Sequence, residues 1–257
     1  MLSYRHSFHA GNHADILKHL TLLALLDKLR SKDKPFVFMD THGGSGLYDL
    51  QSDQARKTGE AEEGAGRIWQ QTSTDAGLNG YLDLLREYNP GSRLRRYPGS
   101  PAIAQSRLRA DDRMILMELH NNEIGLLRAN FQHDGRISIH HRDGFEGVVA
   151  LSPPNPRRGL VLIDPAYELK EDYDRTLKTC EKLVRRWAQG VIAIWYPLLG
   201  KARDRGNWLR ERFEQKKFPE LLCVELLVGP QSADAGMYGS GMLVINTPWQ
   251  LDQQLES

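Results

Sequence analysis

The chain is 257 residues long, 26% of them charged, with a formal net charge of only +1. That length suffices for one α/β domain with a sizeable core and a small inserted subdomain. The near-neutral balance excludes a global basic field, so any nucleic-acid surface has to be a local patch.

Cys180 and Cys223 lie far apart without metal-ligand spacing, which fits a reducing compartment and argues against a disulfide framework. The N-terminal stretch MLSYRHSFHAGNHAD has no apolar core of a secretory signal. No uncharged apolar run approaches the ~18 residues needed to span a bilayer. The expectation is a soluble, cytoplasmic protein without a membrane partner.

Taken in chain order, the N-terminal segment is rich in histidine: His6, His9, His13 and His19. Imidazole is a common metal ligand, but His13 and His19 are six apart, and no H-E-x-x-H or cysteine-rich partner appears. No metal is expected, and the segment is read as pocket lining. A first helix follows over Ala14–Leu29, where leucines recur at helical spacing.

Pro35–Asp40 (PFVFMD) reads as a first strand and runs directly into Asp40-Thr41-His42-Gly43-Gly44-Ser45-Gly46. Glycines there let backbone approach a nucleoside cofactor closely. A plain tight turn explains the same residues, and only the position after a strand favours the ligand. G-x-G-x-x-G is absent, which disfavours a dinucleotide.

From about Asp49 to Arg96 the rhythm breaks. The segment is polar, has no good strand, and offers helices around Ala61–Gln71 and Leu78–Tyr88. Its apolar faces (Ile68, Trp69, Tyr81, Leu82, Leu84, Leu85, Tyr88) favour a helical insertion over a disordered loop. The expected division is a main domain of residues 1–48 and 97–257, with a subdomain of residues 49–96. The basic exit of the insertion, Arg93-Leu94-Arg95-Arg96, and its place between two cofactor motifs make it a candidate for positioning a nucleic acid.

Further strands are expected at Met114–Glu118, Ile137–His140, Gly159–Asp164, Val191–Tyr196, Leu221–Val228 and Met242–Asn246. Helices are expected at Asn122–Phe131 and Tyr173–Gln189. Near-continuous apolar strands imply burial on both faces, and the alternation with helices reads as a doubly wound α/β sheet. Seven strands is the count of a Rossmann-like methyltransferase. Glu118, at the end of its strand, can accept from two ribose hydroxyls. Asp143, after the next strand, can accept from an adenine amine while Gly144 makes room for the ring. Taken singly, each acid is equally a solvated loop end.

The strand Gly159–Asp164 ends in Asp164-Pro165-Ala166-Tyr167, which resembles the D-P-P-Y turn of amino-methyltransferases. An adenine amine is a poor nucleophile because its lone pair is delocalised into the ring. Hydrogen bonds to the Asp164 carboxylate and the Pro165 carbonyl draw that lone pair out, and Tyr167 can stack on an extruded base. Proline stiffens the turn for in-line attack. A strand-terminating Asp-Pro turn is the plain alternative.

The whole pattern resembles the RlmJ family of 23S ribosomal RNA adenine-N6 methyltransferases. The resemblance rests on the Tyr4–Asp15 block, Asp40-Thr41-His42, Tyr97-Pro98-Gly99-Ser100-Pro101, the Asp164 turn, Trp195-Tyr196-Pro197 and Ser240-Gly241-Met242. It implies a class I, S-adenosylmethionine-dependent fold with a helical insertion. It also implies cofactor contacts from His19, His42, Ser100, Glu118, Asp143 and Gly144, catalysis at Asp164, and Tyr4 and His6 near the target adenine. The implied partner is 23S rRNA, protein-free or early in assembly, since a base must be extruded. Two positions depart from the family pattern: Ala166 stands for proline, and the glycine loop lacks its usual alanine. The chain also stops slightly early after Gln254, which leads one to expect a short further tail.

Three rival readings stay open. The same turn serves adenine-N6 methylation of DNA. Ala166 allows a non-catalytic nucleic-acid-binding relative. The histidines allow a metal-dependent hydrolase. The basic clusters at Arg93–Arg96, Arg157-Arg158, Arg185-Arg186 and Arg203–Arg212 can track phosphates or simply face solvent.

Overall fold

The order of the elements follows from where apolar residues sit in the chain. The structure, a computed structural model, describes residues 5–232 and 236–255. After a short 3-10 turn at His6–Phe8, helix α1 spans His13–Arg30 and is capped by Asn12, whose side chain accepts from the Asp15 N–H. Leucines 17, 22, 23, 25, 26 and 29 of α1 are all buried, as expected of a helix covered on most sides. Even so, no helix among the described residues is long and apolar enough to cross a membrane.

Strand β1 (Val37–Asp40) is buried along its whole length. The chain continues through β2 (Leu47–Asp49), α2 (Asp53–Thr58), α3 (Glu60–Glu63), α4 (Ala65–Ile68), α5 (Ala76–Tyr88), β3 (Arg96–Pro98) and α6 (Ser100–Arg107). A regular alternation follows: β4 (Arg113–Glu118), α7 (Asn121–Phe131), β5 (Ile137–His141), α8 (Gly144–Ala150), β6 (Gly159–Ile163), α9 (Glu171–Arg186), β7 (Val191–Leu199) and α10 (Gly206–Lys216). Strands β8 (Leu222–Leu227) and β9 (Met237–Ile245) and helix α11 (Leu251–Leu255) end the chain.

The main sheet has seven strands in the order β5-β4-β1-β6-β7-β9-β8. Its first five strands are parallel, and β9 lies antiparallel between β7 and β8. These are the seven expected runs. Side chains alternate between two cores. Phe38, Leu160 and Leu162 join α1 on one face, while Val37, Met39, Val161 and Ile163 join Tyr173, Leu177 and Leu183 of α9 on the other. The chain winds outward from β1 to β5, then returns to β6 on the other side of β1. A sheet that reverses direction opens a crevice at the carboxyl ends of the central strands. Asp40, Glu118, Asp143 and Asp164 all stand at that edge.

The segment around residues 49–96 differs from expectation in three ways. Its two ends pair as an antiparallel ribbon, with Tyr48 opposite Tyr97. Strands of three residues are too short for any alternation to show in sequence. A further helix, α2, precedes the expected ones. The helix expected over Ala61–Gln71 is broken at Gly64, where a Cβ atom would lie 2.1 Å from the Gly11 carbonyl oxygen. Close approach to the N-terminal segment requires glycine there, and glycine divides the helix. Tyr81, Leu82, Leu84 and Leu85 of α5 share one core with the leucines of α1.

Candidate active site

A cavity of about 440 Å³ opens at the carboxyl edge of the sheet. His6, His19, His42, Ser100, Glu118, Asp143, Gly144, Asp164, Pro165 and Tyr167 all border it. Tyr4 lies outside the described residues.

One wall is built from backbone donors. The Glu118 carboxylate accepts from the Gly44 N–H (2.8 Å) and the His120 N–H (2.6 Å), which fix it over the glycine loop. Burial raises its carboxyl above the usual range despite those bonds. One lone pair per oxygen is left for a hydroxyl donor. Asp143 caps α8 through the Glu146 N–H (3.1 Å) and accepts from Arg175 Nη2 (2.6 Å). Burial pushes its carboxyl up, but the Arg175 and Glu146 bonds outweigh this and hold it below the usual value. At Gly144 a Cβ atom would stand 1.9 Å from the Thr41 carbonyl oxygen. Glycine there lets the β1 and β5 loops meet, a packing role that the expectation of room for a ring did not include.

Between the walls, Ser100 Oγ donates to Asp40 Oδ2 (2.6 Å) and the His42 N–H donates to Asp40 Oδ1 (3.1 Å). Full burial raises the Asp40 carboxyl to about 6. Burial has the opposite effect on the histidines, because their charged form is the cation. It lowers His42 to about 4 and His19 to about 3, so both are neutral at pH 7. His42 Nδ1 lies 2.7 Å from Thr41 Oγ1. His19 Nδ1 lies 2.9 Å from the Tyr97 hydroxyl, which in turn meets Tyr81. His19 Nε2 is buried without a hydrogen-bond partner. A buried orphan of this kind is satisfied by a polar ligand group.

The opposite wall is built from side-chain charge. Lys18 Nζ bridges Asp15 Oδ1 (2.8 Å) and Asp164 Oδ2 (2.6 Å). Burial alone would lower the ammonium pKa, but the two carboxylates hold it well above the usual lysine value. Asp15 is also met by His6 Nε2 at 2.9 Å and by the Gly11 N–H at 2.8 Å. Burial opposes its ionisation, yet these positive neighbours keep its carboxyl well below the usual range. Lys18 was not among the residues read from sequence. Asp15, Lys18 and His19 stand at i, i+3 and i+4, a polar stripe on a leucine-rich helix, and that spacing was the available signal.

Tyr167 departs from the picture of a free stacking ring. It is 7% exposed, its hydroxyl donates to the Trp195 carbonyl (2.9 Å), and its ring lies 4.4 Å from that of Tyr173. Its φ of 52° is an outlier for an aromatic residue and belongs to the Asp164–Tyr167 turn. The hydroxyl therefore anchors the turn to β7, while the ring reaches the cavity edge beside Trp195 and Pro197.

The N-terminal histidines point apart: His6 to Asp15, His9 to Glu60 and His19 to Tyr97. Among the described residues no group of three or more histidine, cysteine or acidic side chains is placed to hold a metal ion.

Comparison with known proteins places the chain in a family. The family described as "Ribosomal RNA large subunit methyltransferase D, RlmJ" matches residues 33–257. Two relatives, both named "Ribosomal RNA large subunit methyltransferase J", come from Escherichia coli (strain K12) and Haemophilus influenzae. Each is 46% identical over all 257 residues and matched over 91% of its own length. A crystal structure of a Legionella pneumophila protein superposes with a TM-score of 0.86 at 34% identity, covering 96% of this chain and 90% of that one. A profile match over most of the chain and identity of this extent establish descent, and the chain belongs to the RlmJ family.

Proposed function

We propose that this protein transfers a methyl group from S-adenosylmethionine to the N6 amine of a specific adenine in 23S rRNA, acting on RNA that is protein-free or early in assembly. The observation that carries this reading is the Lys18–Asp164 pair. It places an oriented carboxylate at the end of a central strand, across the cavity from Glu118 and Asp143.

S-adenosylmethionine, when bound, supplies an electrophilic methyl group on a sulfonium. Glu118 accepts from the ribose hydroxyls and Asp143 from the adenine amine. The orphaned Nε2 of neutral His19, with Ser100 and His42 nearby, serves the amino-acid end. Lys18 engages Asp164 Oδ2, so Oδ1 is the oxygen offered to the target amine. That hydrogen bond, with one to the Pro165 carbonyl, draws the amine lone pair out of ring conjugation. Asp164 would take up the proton that the amine gives up on receiving the methyl group. Tyr167 and Trp195 flank the entering base, with His6 at the same cavity. The segment of residues 49–96 is an RNA-positioning subdomain, with Arg93, Arg95 and Arg96 as its phosphate contacts.

The test is methyl transfer from labelled cofactor to three substrates of matched sequence. These are naked 23S rRNA from cells lacking the modification, the assembled large subunit, and the corresponding DNA. The proposal predicts transfer to naked rRNA well above the other two. Preferred transfer to DNA would replace it with the DNA reading.

A further inference from the structure

Glu123 is a buried acid that the catalytic scheme does not use. It sits in the first turn of α7, five residues beyond Glu118, and is 6% exposed. It borders the same cavity as Glu118, Gly44 and Tyr48. Its Oε2 is shut away from solvent and has no hydrogen-bond partner among the described residues. A buried acceptor left without a donor opposes folding, and native structures hold few of them. The α7 dipole favours an acid in the first turn, but an exposed acid would satisfy the dipole equally well. The dipole therefore does not explain why this one faces inward.

The neighbouring carboxylate shows what is missing. Both Glu118 oxygens already accept a backbone N–H, from Gly44 and His120. Glu123 has no such support, and its charge adds to the burial that raises the Glu118 carboxyl. Both residues border the same cavity. A ribose presents two adjacent hydroxyl donors of the right kind, at the edge where Glu118 stands.

We propose that Glu123 is a second acceptor for the cofactor ribose, sharing its two hydroxyls with Glu118. The inference rests on the S-adenosylmethionine reading above. It makes Glu123 a determinant of ribose recognition: a nucleoside lacking one hydroxyl leaves the buried acid unsatisfied.

The experiment is calorimetric titration of the full chain with S-adenosylhomocysteine and its 2′-deoxy and 3′-deoxy analogues. Wild type, Glu123→Ala and Glu123→Gln are compared. Glu123→Ala should weaken S-adenosylhomocysteine binding about tenfold or more. One of the two deoxy analogues should bind wild type and variant equally, because the hydroxyl that Glu123 receives is already gone. Glu123→Gln keeps the shape and one acceptor, so it should show a smaller loss with the same hydroxyl dependence. Unliganded variants should unfold at or above the wild-type temperature, since the orphaned carboxylate has been removed. An unchanged affinity in Glu123→Ala, or an equal loss for all three ligands, overturns the inference while leaving the cofactor reading intact. Failure of wild type to bind S-adenosylhomocysteine at all overturns both.

Discussion

The two walls of the cavity hold their carboxylates by different means. On the side proposed for the cofactor, Glu118 is fixed by backbone N–H groups of the glycine loop and of the turn before α7, and Asp143 is fixed partly by the N-terminus of α8. On the transfer side, Asp164 is fixed by a lysine side chain that reaches it from α1, 146 residues earlier in the chain. Backbone donors are set once the sheet forms, so the first wall depends largely on the fold, with Arg175 adding one side-chain contact to Asp143. The opposite wall depends on a buried charge network, in which Lys18 joins Asp15 to Asp164 and Asp15 is also held by His6. A single substitution should therefore damage the two walls differently: locally on the first, collectively on the second.

The largest effect should come from removing the acceptor. Asp164→Ala should lower kcat by about a hundredfold or more, because the lost hydrogen bond strengthens in the transition state. Affinity for S-adenosylhomocysteine, measured by calorimetry, should change little. A loss confined to cofactor binding would erase the distinction between the walls.

Lys18→Met should spread its damage further. It leaves Asp15 and Asp164 facing one another without the cation between them. Breaking a buried pair typically costs about 3–5 kcal/mol of stability. Chemical denaturation should show that loss, with transfer activity falling in parallel. A variant as stable as wild type would mean that Asp164 is held by something else.

On the cofactor wall, Glu118→Ala should weaken S-adenosylhomocysteine about tenfold to a hundredfold, the effect of one charged hydrogen-bonding group. Its thermal stability should fall less than that of Lys18→Met, since the Gly44 and His120 N–H groups lose their acceptor but no buried charge is left unpaired. Unchanged affinity in a folded variant would remove Glu118 from the site.

The smallest effect tests the rim of the transfer wall. His9 Nδ1 meets Glu60 Oε1 at 2.8 Å, and Asn12 donates to Glu60 Oε2 at 3.0 Å. The Glu60 contact raises His9 above the ordinary histidine value, and burial opposes it only in part. Burial pushes the Glu60 carboxyl up, but the His9 and Asn12 bonds hold it below the ordinary value. The histidine contribution to stability is present below about pH 6.5 and is lost as pH rises through the raised value. The carboxylate contribution is present above about pH 4.3 and is lost as pH falls through the lowered value. The pair therefore stabilises most between those limits. Both groups are more than a third exposed, so solvent screens much of the effect. Melting curves of Glu60→Gln and wild type should separate near pH 5.5 and converge near pH 9. Equal separation at both would remove the charge from the contact.

The same contrast governs what could be read from sequence. The seven strands could be read because each is a short, largely apolar run, the central ones buried on both faces and β5 and β8 only half-buried, and the acids that border the cavity could be read because they follow such runs. Asp164 was legible for the same reason. Lys18 was not, because a lysine in a leucine-rich helix reads as a solvated face until its partner is known to lie across the sheet. The β2–β3 ribbon escaped because three residues carry no period. The break at Gly64 escaped because its cause, the Gly11 carbonyl, is distant in sequence. Tyr167 was identified by type, but its hydroxyl bond to β7 depends on the antiparallel partner β9 holding that strand in place.

If Asp164 activates an adenine amine, the chemical identity of the methylated product will show it. Naked 23S rRNA from cells lacking the modification is incubated with the full chain and S-adenosylmethionine, digested to nucleosides, and analysed by mass spectrometry against standards. N6-methyladenosine should be the sole new nucleoside, at no more than one per rRNA molecule, and absent with Asp164→Ala. A methyl group on a ring carbon or a ribose oxygen, or N6-methyladenosine formed at the wild-type rate by Asp164→Ala, would contradict it.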